Sequence, residues 1–251
     1  MPVSVILFAD VHYAKGLTAC ATRLCDRSLD KLARLAQRTK GALAYINLGD
    51  LINGRPDEQA VKSDLRAVRE AISRLGAPCC SLVGNHDAAY APRRAITGRD
   101  VDCFSFELAG LTWLALDCNF TADGRREDAD TPFSWTEAAL PPGQVRFLRE
   151  TLAGEGGPVV ILSHHPLVGD PADPHVIRNQ AEVQSVIRGA RRKVLALFAG
   201  HYHPGARRSL DGIPVYVLPA LCEGERCPYA EVTVDGGDLS VRLKDAFTPF
   251  P

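Results

Sequence analysis

Apolar residues along the chain fall into short continuous runs separated by stretches of helical spacing. The runs at residues 3–8, 43–48, 79–83, 159–162 and 194–199 have strand length and predict buried strands. Between them, residues 22–40 carry a stripe of Leu24, Leu29, Leu32, Leu35 and Ala36. Residues 57–75 place Val61, Leu65, Val68, Ile72 and Leu75 at alternating spacings of four and three. Both patterns predict helices, the second stopped by Gly76 and Pro78. Residues 142–152 and 180–191 predict two more. The runs 104–108 and 111–116, split by Ala109-Gly110, predict a hairpin. A strand-rich tail follows at 213–218, 230–234 and 239–243, with Asp235-Gly236-Gly237 as its turn signal. Strands that alternate with helices and then give way to a β-rich tail predict an α/β or mixed layered domain. Neither an internal repeat nor a linker divides residues 1–251, so a single domain is expected.

Composition narrows this picture without changing it. Hydrophobic content of 46% and charged content of 24% suit a globular chain with a substantial core. A net charge of −1 and a pI near 6.7 argue against a dedicated nucleic-acid or anionic-membrane binder. The basic runs Arg93-Arg94, Arg125-Arg126, 191–193 and Arg207-Arg208 are short; solvation is expected for most, and phosphate binding for any that lies near a site. No apolar run approaches about 18 residues, and residues 1–9 lack the basic start and cleavage site of a signal peptide. A cytoplasmic location is expected. Of eight cysteines none forms a CxxC pair, so reduced thiols are expected, with Cys222 and Cys227 the pair that oxidation would join.

Chemistry gathers where the strands end. Asp10-x-His12, Gly49-Asp50, Gly84-Asn85-His86-Asp87, Ser163-His164-His165-Pro166 and Gly200-His201-Tyr202-His203 each follow an apolar run. The chain has seven histidines, and all except His175 lie in these motifs. The third motif reads as a turn: Gly84 lets the backbone bend, Asn85 offers a neutral oxygen, His86 an imidazole, and Asp87 a carboxylate to orient it. An ordinary polar turn has the same composition, and its company decides against that. Imidazole nitrogen with carboxylate and amide oxygen suits manganese, iron, zinc or cobalt, and the lack of cysteine argues against a structural zinc knuckle. The donors outnumber what one ion needs. A pair of ions about 3.5–4 Å apart, bridged by one carboxylate, would use them all and would activate water for in-line attack on phosphorus.

In this order the motifs resemble those of the calcineurin-like metallophosphoesterases, over residues 10–203. The resemblance implies a four-layer α/β/β/α sandwich with a binuclear centre at the strand ends. It implies that Asp10, His12, Asp50 and His203 hold one ion, and that Asp50 as bridge, Asn85, His164 and His201 hold the other. It implies catalysis by a metal-bridging hydroxide, manganese being favoured, with His86 protonating the leaving oxygen and Asp87 orienting His86. His165 is expected to be structural or to support a ligand. The chain departs from many members at Asn53, where a second Asp is common, and at Tyr202, where Thr or Val is common. The Asp-Arg-Gly of the family's protein phosphatases is not matched by residues 51–55, nor their Glu by Asp87.

The surrounding stretches are more similar to the manganese-dependent ADP-ribose/CDP-alcohol diphosphatases, through Arg27-Ser28-Leu29, residues 48–54 and 199–205, Val215-Tyr216 and Glu223-Gly224. His12 departs from that branch, where Gln is frequent. A small phosphoester substrate such as a nucleotide is expected, without membrane or dedicated nucleic-acid partners. The competing expectations are a cyclic-nucleotide phosphodiesterase, a broad phosphomonoesterase and, from another class, a non-catalytic scaffold of the same fold. Such scaffolds lose ligands, and none is missing here. The polar segment 119–136, with Arg125, Arg126, Phe133 and Trp135, is either a nucleoside contact or a solvated lid.

Overall fold

A computed structural model of the protein describes residues 1–19, 22–128, 131 and 134–245; Cys20 and Phe133 lie outside the described residues. The first half runs β1 (Val3–Phe8), α1 (Ser28–Arg38), β2 (Ala44–Asn47), α2 (Glu58–Ser73), β3 (Cys79–Ser81), α3 (Asn85–Tyr90), α4 (Arg93–Thr97), β4 (Phe104–Leu108) and β5 (Leu111–Leu116). The second runs α5 (Pro142–Ala153), β6 (Val159–Ser163), α6 (Gln180–Arg188), β7 (Val194–Ala199), β8 (Ala206–Leu210), β9 (Ile213–Val217), β10 (Tyr229–Asp235) and β11 (Asp238–Lys244). Among the described residues these strands form two sheets, ordered β11-β10-β1-β2-β3 and β4-β5-β6-β7-β9-β8. In the first sheet β1, β2 and β3 pair in parallel and β10 and β11 add on antiparallel; in the second, β5, β6, β7 and β9 are parallel and antiparallel β4 and β8 close the edges.

Alternation along each strand builds four layers. In β1, Val5 and Leu7 point between the sheets with Ile46, Leu48, Trp113, Val160, Leu162 and Phe198. Ile6 and Phe8 point outward onto Leu32 and Leu35 of α1 and Val61, Leu65 and Val68 of α2. In β6, Val160 and Leu162 face the first sheet, whereas Val159 and Ile161 meet Val145 and Leu148 of α5 and Val183 and Ile187 of α6. Burial on both faces is why these strands read as unbroken apolar runs. The fold is the expected α/β/β/α sandwich.

Three local readings differ. The first helix begins at Ser28, not residue 22, because Arg23 pairs with Glu223 in an isolated bridge and the Leu24 N–H donates to the Cys222 carbonyl at 2.8 Å. The Gly84 motif is not a free turn: Gly84 caps α3, and the Ala88 N–H donates to its carbonyl at 2.9 Å. Strand β8 gives no sequence signal, since Arg207 and Ser209 face solvent on an edge. Cys222 and Cys227 are both free and buried. No helix among the described residues is long and apolar enough to cross a membrane.

Candidate metal centre

The carboxyl ends of β1, β2, β3, β6 and β7 meet at one edge of the sandwich, the place where parallel sheets build their sites. Beyond β1 and β2 the backbones stay linked: the His12 N–H donates to the Asp50 carbonyl at 2.9 Å and the Asp10 N–H to the Gly49 carbonyl at 3.1 Å. Beyond β6 and β7, the Gly200 N–H donates to the His164 carbonyl at 2.9 Å. Asp10, His12, Asp50 and His201 all hold positive φ, from +46° to +68°. Non-glycine residues in this region cost about 1–3 kcal/mol each and persist where function imposes them. Two glycines let the loops close. Gly49, at φ +109°, would put a Cβ 2.6 Å from His164 Nδ1, and a Cβ on Gly84 would overlap the Asp50 carboxylate.

Asp50 Oδ2 stands at the centre, 3.3 Å from His12 Nε2 and 3.4 Å from His164 Nε2. On the His12 side, His203 Nε2 lies 3.2 Å from His12 Nε2 and 3.8 Å from Asp10 Oδ1. On the His164 side, Asn85 Oδ1 lies 3.1 Å from His164 Nε2. These six residues are therefore brought together as two sets sharing Asp50. His201 joins them by packing, its ring 5.1 Å from that of His164, and its backbone N–H donates to Asp10.

Supporting bonds fix which imidazole nitrogen faces inward. His164 Nδ1 donates to the Leu48 carbonyl at 2.9 Å and His203 Nδ1 to the Glu223 carboxylate at 2.8 Å. Each leaves Nε2 turned toward the carboxylates, the usual arrangement of metal-ligating histidine. His12 Nδ1 and His201 Nε2 are buried without a hydrogen-bond partner. The inward atoms, Nε2 of His12, His164 and His203 with Asp50 Oδ2 and Asn85 Oδ1, lie 3.1–3.4 Å from their neighbours; acceptors so crowded and buried fit cations, and an N/O donor set fits manganese, iron, zinc or cobalt. Without an ion, the carboxylates of the cluster draw a proton onto one imidazole, His164, in the place a cation would take. Burial pushes the Asp50 carboxyl up, but His164, His12 and His86 outweigh it and hold it well below the ordinary carboxylate range. Burial also opposes charge on His164, yet Asp50 and Asp10 lift it to about 9. Burial lowers His12, and burial together with His165 and His164 lowers His201. His165 is enclosed beside His201, ring to ring at 4.3 Å, and burial keeps it neutral.

The α3 motif divides differently from expectation. His86 lines the cavity, its N–H donates to Asp50 Oδ1 at 2.9 Å, and its Nδ1 meets the Asn53 carbonyl at 2.6 Å. Asp87 does not orient that ring, which is a correction. Its fully buried carboxylate accepts from the N–H groups of Gly84 at 3.0 Å and of Leu51 and Ile52 at 3.2 Å, tying the β3 loop to the β2 loop. The Asn53 main chain does the orienting, so the change of side chain there leaves that bond intact. Burial and the neighbouring Asp50 raise the Asp87 carboxyl to about 7 against those three donors; a cation on Asp50 would cancel the second cause.

A cavity of about 500 Å³ opens above the cluster, lined by Arg23, Trp135, His175, Tyr202 and Pro204 as well as the motif residues. Glu223, Arg23 and His175 had no assigned place in the site from sequence, since they lie outside the motifs, and Tyr202, inside one, was named only as a departure from the family. Buried Cys222 lies within 4.8 Å of His12 and His203, measured between ligand atoms. Arg93, Arg94, Arg125 and Arg126 do not line the cavity; Arg93 is buried on Asp117 at 2.6 Å, and Arg126 meets Asp102 at 3.3 Å.

The family model of calcineurin-like phosphoesterases matches residues 3–205. The serine/threonine-protein phosphatase CPPED1 of Mus musculus is 24% identical over 242 residues, covering 88% of this chain and 75% of its own. A protein of Psychrobacter arcticus called probable cyclic nucleotide phosphodiesterase is 24% identical over 244 residues, covering 88% and 80%. The fold is that of a dimetal phosphatase from Danio rerio, with a TM-score of 0.75 at 20% identity, covering 98% of this chain and 99% of that one. The chain belongs to the calcineurin-like phosphoesterase family and is a metal-dependent phosphoesterase.

Proposed function

We propose that this phosphoesterase hydrolyses a phosphoester or phosphoanhydride bond in a small nucleotide. Asp10, His12, Asp50 and His203 would hold one ion, and Asp50, Asn85, His164 and His201 the other, manganese being favoured. The observation that carries the reading is the single oxygen of Asp50 set between His12 and His164 at 3.3 and 3.4 Å. Bound there, the ions would supply water of lowered pKa and positive charge for the phosphoryl oxygens.

The chain's own residues do the rest. Glu223 and the Leu48 carbonyl take the Nδ1–H of His203 and of His164, which leaves each Nε2 as the atom that would face an ion. His86, with Nδ1–H on the Asn53 carbonyl, lines the cavity; as the imidazolium it would give its Nε2 proton to the leaving oxygen and be left neutral, with Nε2 an acceptor. Asp87 serves by holding the loop that carries Asn85 and His86.

ADP-ribose and CDP-alcohols are the proposed substrates. The relative called a cyclic nucleotide phosphodiesterase favours cyclic nucleotides as the second reading. Purified protein should bind two manganese ions per chain and turn over one of these substrates faster than p-nitrophenyl phosphate. Protein that binds fewer than one ion and hydrolyses neither these nor bis(p-nitrophenyl) phosphate is a scaffold, and the reading fails. A preference for phosphoserine peptide over every nucleotide would move it to the class named for the CPPED1 relative.

A further inference from the structure

The geometry points to a nucleoside subsite on the second-sheet wall of the cavity, in which Trp135 stacks on the base and His175 accepts a hydrogen bond through Nε2. It rests on the phosphoesterase reading and deepens it. Trp135, His175 and Tyr202 come from three loops, and all line the cavity above His201. The Trp135 ring lies 5.0 Å from that of His175 and 5.1 Å from that of His201; His175 lies 5.1 Å from Tyr202. Trp135 is half-buried, and its indole is large enough to cover a base.

The wall is built, not incidental. Trp135 sits on a short 3-10 turn, Trp135–Glu137, capped by Ser134. Arg178 joins that turn to the His175 loop, its side chain on the Thr136 carbonyl and its N–H donating to the Ala138 carbonyl at 2.8 Å. His175 is held by Asp173 twice: the backbone N–H donates to Oδ1 at 3.0 Å and ring Nδ1 at 2.8 Å. Arg208, from edge strand β8, grips the other carboxylate oxygen at 3.3 Å and the Val168 carbonyl at 2.9 Å. With Nδ1–H committed to Asp173, a neutral His175 offers Nε2 as an acceptor. Among the described residues it meets no partner there, and the side chain, 31% exposed, lines the cavity. An acceptor beside a stacking surface suits a flat group that carries N–H or O–H, and a nucleoside has both. A phosphate between the metal centre and this wall would place its nucleoside here.

The chain has two tryptophans, and Trp113 is fully buried between the sheets with its indole N–H on the Leu108 carbonyl. Fluorescence changes on binding therefore report Trp135. Manganese-loaded protein, titrated by stopped flow and read before turnover, should show quenching by AMP and none by ribose 5-phosphate. AMP should bind about tenfold more tightly, the size of one base stack. Trp135→Ala should erase that advantage, Trp135→Phe should keep most of it, and His175→Phe should reduce it severalfold. Equal affinity for the two ligands, or unchanged AMP affinity in Trp135→Ala, overturns the subsite while leaving the metal centre standing. The opposite pattern, with AMP preferred but bound equally after EDTA treatment, overturns the metal reading and leaves the subsite.

Discussion

The floor and the wall of the cavity are held by different means. On the floor, the backbone sets the geometry: Asp10, His12, Asp50 and His201 are pinned at positive φ, and Gly49 and Gly84 allow approach that a Cβ would prevent. On the wall, Trp135, His175 and Tyr202 are not among the positive-φ residues; the Trp135 turn and His175 are held by side-chain bonds between loops, through Asp173, Arg178 and Arg208, while Tyr202 lies on the loop of His201 and His203. Strain that fixes a handful of donor atoms suits a task common to every substrate. Loops fastened to one another can change residue by residue without moving those donors. On the proposed reading the floor would set the reaction and the wall the substrate.

Substitutions can break that division. The largest effect is expected from Asp50→Asn, which would weaken both proposed ion positions at once, since one oxygen stands between His12 and His164. Turnover should fall by about a thousandfold or more, several kcal/mol of charge stabilisation, and metal analysis should find less than one ion per chain. Gly84→Ala comes next. Its methyl would displace the Asp50 carboxylate at an overpacking cost of about 1–3 kcal/mol. A lowered melting temperature and lost metal should appear together; retention of both ions would show that the floor is softer than its strain implies. Glu223→Gln keeps the shape but weakens the acceptor on His203 Nδ1. Affinity at the His12 and His203 position should drop about 10–100-fold, seen in competition with a chelator, while the ratio of AMP to ribose 5-phosphate binding stays as it was.

The floor was legible in sequence and the wall only through Trp135, named there within a nucleoside contact or a lid, for a physical reason. A loop leaving a buried strand must place its polar residues at the strand's end, so order along the chain announces convergence in space. Asp10, His12, Asp50, Asn85, His164, His201 and His203 all follow apolar runs and all reach the cluster. Neighbours in sequence are a poorer guide to direction: Asp87 follows His86 by one residue, yet α3 turns its carboxylate to the Leu51 and Ile52 amides. Nothing in the spacing reveals positive φ at Asp10 or His12, since it is imposed by the loops packed against them. The wall depends on residues 135, 175 and 202, brought together by loops with no shared period. Its brace lies on β8, a charged edge strand whose alternation is too weak to read. Helix α4 was missed likewise, being five residues long with its first, Arg93, buried on Asp117.

The smallest expected effect is also the sharpest test of the division. Asp173→Asn leaves an oxygen that can still accept from His175 Nδ1, but removes the charge that Arg208 grips. His175 should then sample other orientations, at a cost near that of one hydrogen bond, about 1 kcal/mol or fivefold. That loss should appear in AMP binding and in KM for a nucleotide substrate, with little change in ribose 5-phosphate binding, metal content or melting temperature. Arg208→Met should give the same pattern, because it removes the brace from the other side. A fall in metal content with either variant, matching that of Glu223→Gln, would show that wall and floor move together. The wall would then be part of the metal centre's support and could not be exchanged independently of it.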